Sequence, residues 1–191
     1  MTAIFLSASV PVPGRGHYHE TADPFLIQVA VRELVAAVIR DHHLVWGGHP
    51  AITPMIWTIC EDLGVEYARS VTLYQSRFFA EWFPEENKRF SNAVLVDAVP
   101  EDREASLLKM REQMLSRDDL HAAVFVGGMQ GVAAEYELYR RFHPEGRVLA
   151  AGAPGGAARD LADQIGDREA RTTVDFAHLF RTAFPASGTE R

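Results

Sequence analysis

The chemistry of this chain concentrates in Val124-Phe125-Val126-Gly127-Gly128-Met129-Gln130-Gly131-Val132-Ala133-Ala134-Glu135. An apolar run enters a glycine-rich turn, and a helix with a carboxylate in its first turn leaves it. Glycine lets a phosphate approach the main chain, and the N–H groups of a helix N-terminus carry partial positive charge. A carboxylate beside such a turn hydrogen-bonds a ribose or a base, or serves only as a partner of the helix dipole. Three other junctions have the same small or polar character: Ser7-Ala8-Ser9, Gly47-Gly48-His49 and Gly152-Ala153-Pro154-Gly155-Gly156. Tight turns of this kind are common, so no single pair is diagnostic. Several on one sheet edge point to phosphate or nucleotide binding. Arg111 is the second informative residue. Its spacing to Leu108 and Leu115 puts it on an apolar helix stripe, either snorkelling, or holding a phosphate or orienting Glu135.

Alternating elements must carry these turns. Ala3–Ser7, His43–Trp46, Ser70–Tyr74, Ala93–Val96, Ala122–Val126 and Arg147–Ala151 read as short buried strands. Between them, Asp23 caps a helix that starts at Pro24 and ends near Asp41, with Ile27, Val31, Leu34 and Val38 on one face. Thr53 is read as the cap of a second helix that stops at Gly64. Asp102–Ser116, Gly131–Phe142, Ala157–Ile165 and Val174–Phe184 complete the set, with Val132, Tyr136 and Tyr139 on the buried face of the second of these. The reading is α/β: a Rossmann-like three-layer sandwich on a mostly parallel sheet. Residues 1–185 form one domain and 186–191 a frayed tail.

Composition narrows the partners. Nineteen Lys and Arg against 26 Asp and Glu leave a net charge of −7. An acidic chain without a basic run does not suit duplex nucleic acid or anionic membranes. Cys60 is the sole cysteine, and no basic, apolar leader opens the chain, so a reducing cytoplasm is expected. No G-x-G-x-x-G follows a strand and no Walker motif occurs, so neither a standard dinucleotide dehydrogenase nor a P-loop NTPase is indicated. His42, His43 and His49 lack the spacing of a metal set, and Ser7 and Ser9 lack a triad. No cofactor is expected. Arg15 in the loop before His17-Tyr18-His19 is either a phosphate contact or solvated. Trp46, Trp57, Trp82, Phe78 and Phe79 suit core or interface.

At these motifs the chain resembles the SLOG superfamily, which includes the LOG phosphoribohydrolases, the DNA-processing protein DprA and nucleotide-sensing domains of bacterial immunity systems. Gly127-Gly128-Met129-Gln130-Gly131-Val132-Ala133-Ala134-Glu135 is similar to the LOG signature P-G-G-x-G-T-x-x-E. Val126 replaces its proline, one extra residue separates the glycines, and Val132 replaces its threonine. Met110-Arg111-Glu112-Gln113-Met114 stands where LOG has M-H-x-R-K, which aligns Gln113 with the family's catalytic arginine. Phe5–Pro11, Gly47–Pro54, Tyr74–Ser76, Ser106–Arg111 and Phe125–Glu135 more closely resemble a stand-alone or TIR-associated SLOG subgroup. The resemblance spans residues 3–165 and adds Thr53 and Gln75 to the ligand set of Ser7, Ser9, Gly47, Gly48, His49, Gly127, Gly128, Met129, Gly131, Gly155 and Gly156.

Two functions follow from this likeness. One is a sensor that binds a nucleotide-derived small molecule such as ADP-ribose, an NAD fragment, a cyclic nucleotide or a nucleoside phosphate, with a TIR-type or other effector partner in bacterial defence. The other is a nucleoside 5′-monophosphate N-glycosidase in which Glu135 and Arg111 are catalytic. A homodimer is expected, as in LOG-like proteins, through Trp82, Phe83, Phe90 and the apolar final helix.

Overall fold

The computed structural model describes residues 2–66, 70–83 and 92–185. Strands β1 (Ala3–Ser9), β2 (His43–Trp46), β3 (Val71–Ser76), β4 (Ala93–Val96), β5 (Leu120–Gly127) and β6 (Arg147–Ala151) form one sheet in the order β4-β3-β2-β1-β5-β6. Every neighbouring pair is parallel. The helices are α1 (Tyr18–Thr21), α2 (Pro24–Val38), α3 (Thr53–Asp62), α4 (Arg103–Leu115), α5 (Gly131–Phe142), α6 (Ala157–Ile165), α7 (Arg168–Thr172) and α8 (Phe176–Ala183). This is the Rossmann-like α/β sandwich expected from the alternation.

Side chains alternate across a strand, so each sheet face gathers its own core. On one face Ile4, Leu6, Leu44 and Trp46 meet α2, α3 and α8; on the other Phe5, Val45 and Phe125 meet α4, α5 and α6. Helix α2 forms where the sequence placed it. The Asp23 carboxylate accepts from the N–H groups of Phe25 at 2.9 Å and Leu26 at 3.1 Å. Pro24 opens the helix, and Ile27, Val31, Leu34 and Val38 are fully buried. Burying a side chain of this size stabilises by about 1.5–3 kcal/mol. The chain winds from β1 outward to β4 on one side, then crosses to add β5 and β6 on the other. The order reverses between β1 and β5, and at such a reversal the crevice beyond the strand ends is open to a ligand.

Several boundaries differ from expectation. The segment after Arg15 contains the short α1, where the His17 and Tyr18 rings stack at 4.8 Å. Helix α7 lies in a stretch without apolar periodicity and is capped by Asp167, which accepts from Ala170 N–H at 3.0 Å. Helix α8 begins at Phe176 because Asp175 caps it. Its apolar face, Phe176, Leu179, Phe180 and Ala183, is buried within the chain, which removes it from the expected dimer surface. Arg77–Trp82 is a 3-10 turn, and Trp82 is 67% exposed. Phe90 and the 186–191 tail lie outside the described residues. No helix among the described residues is long and apolar enough to cross a membrane.

Candidate functional site

A cleft of about 500 Å³ opens beyond the carboxyl ends of β1, β2 and β5. That volume suits a small-molecule site. Ser7, Ser9, Gly47, Gly48, His49, Met129, Gly131, Glu135 and Arg111 all line it, together with Arg15, Arg103 and Leu107. Residues from five separate segments, 128 positions apart at the extremes, thus meet at the reversal of strand order.

Glu135 is the centre of the arrangement. It is the fifth residue of α5, at the start of the second turn rather than in the first, so it neither caps the helix nor sits at its dipole end. Its Oε2 accepts a hydrogen bond from the Ser7 hydroxyl at 2.5 Å, and its Oε1 accepts from Arg111 Nε at 3.0 Å. The two charged side chains are 15% and 16% exposed. Strand β1 supplies the serine because residues 5 and 7 share a face with the α5 side of the sheet, while α4 brings Arg111 from the opposite wall. Gly131 makes room for this pair: a Cβ there would lie 2.7 Å from an Arg111 Nη.

The stripe that carries Arg111 is not the one expected. Leu108 is 47% exposed, and Arg111 instead aligns with Leu107 and Arg103, four and eight residues before it. That spacing in the sequence could have identified both. Met110 and Met114 lie under Gly47, with methyl carbons 3.6 and 3.8 Å from its Cβ position. Gln113, at the position of the LOG arginine, is exposed and does not line the cleft.

Thr53 is the first residue of α3 and not its cap. Its buried hydroxyl donates to the His49 carbonyl at 3.0 Å and accepts from the His49 N–H at 3.3 Å, holding the Gly48-His49 turn. The imidazole Nδ1 of His49 accepts from Ala51 N–H at 3.2 Å. Burial lowers the pKa of His49 below the usual imidazole value, and the positive charge of Arg15 lowers it further. Gln75 is buried behind the same turn: its amide nitrogen would lie 2.6 Å from a Cβ on Gly48. Thr53 and Gln75 shape the wall without lining the cleft.

The remaining glycines are needed by neighbouring backbone and side chains. Gly127 and Gly128 have φ of +63° and +79°, and Gly128 N–H donates to the Ser9 carbonyl at 2.8 Å. A Cβ on Gly127 would meet that same carbonyl at 2.7 Å, and one on Gly128 would meet Val132 at 2.3 Å. Gly155 and Gly156 pack against Thr21 and the Gly127-Gly128 turn. Gly127, Gly128, Gly155 and Gly156 therefore set the turn geometry and do not line the cleft.

Arg103 pairs with Glu104 and lies over the Phe79 ring at 5.7 Å. Arg111 pairs with Glu135. Among the described residues, Arg15 is the cleft arginine without a carboxylate partner, so a chain of net charge −7 lines its cleft with three arginines and two glutamates. Gln130 Nε2 donates to the Arg15 carbonyl at 3.1 Å and fixes that loop to the head of α5. No group of three or more metal-ligating side chains occurs among the described residues.

A doubly wound parallel sheet with a polar cleft at its reversal point defines the Rossmann-like α/β class. Residues 17–184 match the model of the SLOG cluster3 family, and the chain belongs to that family. No curated protein is similar enough to be matched.

Proposed function

We propose that the cleft binds a nucleotide-derived ligand and that the chain works as a sensor or carrier of it. The observation that supports this most is the clamped carboxylate. A carboxylate offers about four lone-pair sites. Ser7 and Arg111 occupy one on each oxygen of Glu135, which leaves sites for the paired hydroxyls of a ribose. Arg111 has guanidinium N–H groups beyond Nε to offer a phosphate, and the head of α5 adds backbone N–H groups. Both oxygens of Glu135 already have a protein donor, and Gln113 is outside the cleft, so binding is favoured over hydrolysis.

One observation supports the second reading, N-glycosidic cleavage of a nucleoside monophosphate. Glu135 and Arg111 stand side by side in the cleft, where a carboxylate would stabilise a ribosyl oxocarbenium. Chromatography for free base, run beside calorimetric titration with AMP, NAD, ADP-ribose and a cyclic nucleotide, separates the two. Binding without base release is the expected result, with a ten- to hundredfold loss in Glu135→Gln, from the roughly 1.5–3 kcal/mol of a hydrogen bond to a charged acceptor. Base released by wild type and abolished in Glu135→Gln would establish the enzyme instead.

A further inference from the structure

We infer that Arg15 and His49 together form an anion clamp at the mouth of the cleft, so that the ligand's phosphates lie between them while its ribose faces Glu135. This deepens the binding reading and rests on it. Arg15 and His49 come from different junctions, the loop after β1 and the turn after β2, and both line the same cleft. Arg103 is paired with Glu104 and Arg111 gives its Nε to Glu135, whereas Arg15 has no carboxylate partner among the described residues, so its whole guanidinium is available to an anion. Its loop is built to present it. Gly14 and Gly16 flank it with φ of +83° each, and Gln130 holds its carbonyl at 3.1 Å while the guanidinium is left exposed.

His49 is the complementary half. Its Nδ1 is committed to Ala51, so Nε2 is the nitrogen left for a ligand, and Thr53 holds the backbone beneath the ring. In the free protein, burial and the facing Arg15 both favour the neutral ring. The other charged groups around the cleft, Arg103, Glu104, Arg111 and Glu135, form two internal ion pairs and leave that bias to Arg15. A phosphate seated between the two would offset the Arg15 charge and accept a hydrogen bond from Nε2. With Nδ1 accepting from Ala51, the neutral ring already carries its proton on Nε2 and donates it to the phosphate without taking up another.

ADP-ribose is the probe of choice because its phosphates hold constant charge between pH 5.5 and 8, and adenosine is the uncharged control. Titration calorimetry in two buffers of different ionisation enthalpy counts protons. NMR titration follows the His49 ring. In ligand-free protein, Arg15→Gln should raise the His49 pKa, since it removes a facing positive charge. The same variant should weaken ADP-ribose about ten- to hundredfold and leave adenosine unchanged. His49→Asn, which retains an acceptor for Ala51 but has no donor at the Nε2 position, should likewise weaken ADP-ribose and spare adenosine, and wild type should bind at pH 8 without proton uptake. ADP-ribose binding that is insensitive to Arg15→Gln or to His49→Asn would overturn the clamp and leave the binding function standing. Failure of ADP-ribose, AMP, NAD and a cyclic nucleotide all to bind would overturn both.

Discussion

Replacing Gly131 by alanine should damage ligand binding while sparing the fold. Gly131 opens α5 with helical backbone, so alanine is accepted there without strain and gains up to about 1 kcal/mol in helix propensity. The new methyl would stand 2.7 Å from an Arg111 Nη, closer than any carbon tolerates. That nitrogen is the free end of a long side chain, so it yields, and the Arg111–Glu135 contact at 3.0 Å yields with it. A pair that is about one-sixth exposed loses on the order of 1 kcal/mol when loosened rather than broken. The two terms nearly cancel, and the melting temperature should stay within about 4 °C of wild type. Affinity for the tightest-binding nucleotide should fall about tenfold or more, because the carboxylate and guanidinium no longer present their donors and acceptors together. Gly128→Ala is the contrasting variant. Its φ of +79° and a 2.3 Å approach to Val132 should cost about 2–5 kcal/mol of stability. Denaturant unfolding and calorimetry on both proteins read the two effects separately. If Gly131→Ala proves as unstable as Gly128→Ala, or binds nucleotide like wild type, the assigned role of the Arg111 position is refuted.

Other outcomes follow from the rest of the molecule. His42 has its pKa lowered first by burial and then by His121, whose ring stacks on it at 5.1 Å. Its folded pKa therefore lies below the unfolded value of about 6.5, so its contribution to stability is full above that value and is lost as pH falls through the folded pKa. Urea midpoints at pH 7.5 and 5.5 should differ less in His42→Phe than in wild type; an unchanged difference would reject the assignment. Burial pushes the Cys60 thiol up to about 11, so a thiol reagent at pH 8 should label it only when the protein is unfolded. Light scattering should give twice the 21.2 kDa chain mass if the exposed Trp82 region pairs two copies, and a clean monomer would discard that surface.

The strand–helix alternation was legible because periodicity and caps are local: Asp23-Pro24 and Asp102 begin helices where expected, and all six strands occur. The meeting of Ser7, Arg111 and Glu135 was legible only in outline. The order of motifs placed them on one sheet edge, but which helix face turns inward depended on packing, and Arg111 aligned with Leu107 instead of Leu108. Glycine was the least legible signal. A residue without a Cβ admits a ligand, a side chain or another backbone equally well, and nothing in the residue type distinguishes them. Gly131 admits Arg111, whereas Gly155 admits the Thr21 carbonyl, 1.9 Å from where its Cβ would be. Thr53 was misread for a related reason. A hydroxyl next to Pro54 fits a cap, yet it closes onto the His49 main chain from the first helical position.

The central claim is that a nucleotide is held in this cleft through Glu135. Native mass spectrometry of freshly purified wild type and Glu135→Gln, each alone and with AMP, NAD, ADP-ribose or a cyclic nucleotide added, tests it most directly. The account predicts a one-to-one adduct of nucleotide mass on wild type that is lost or strongly reduced on the variant. Absence of any adduct on wild type, or equal adducts on both proteins, would contradict it.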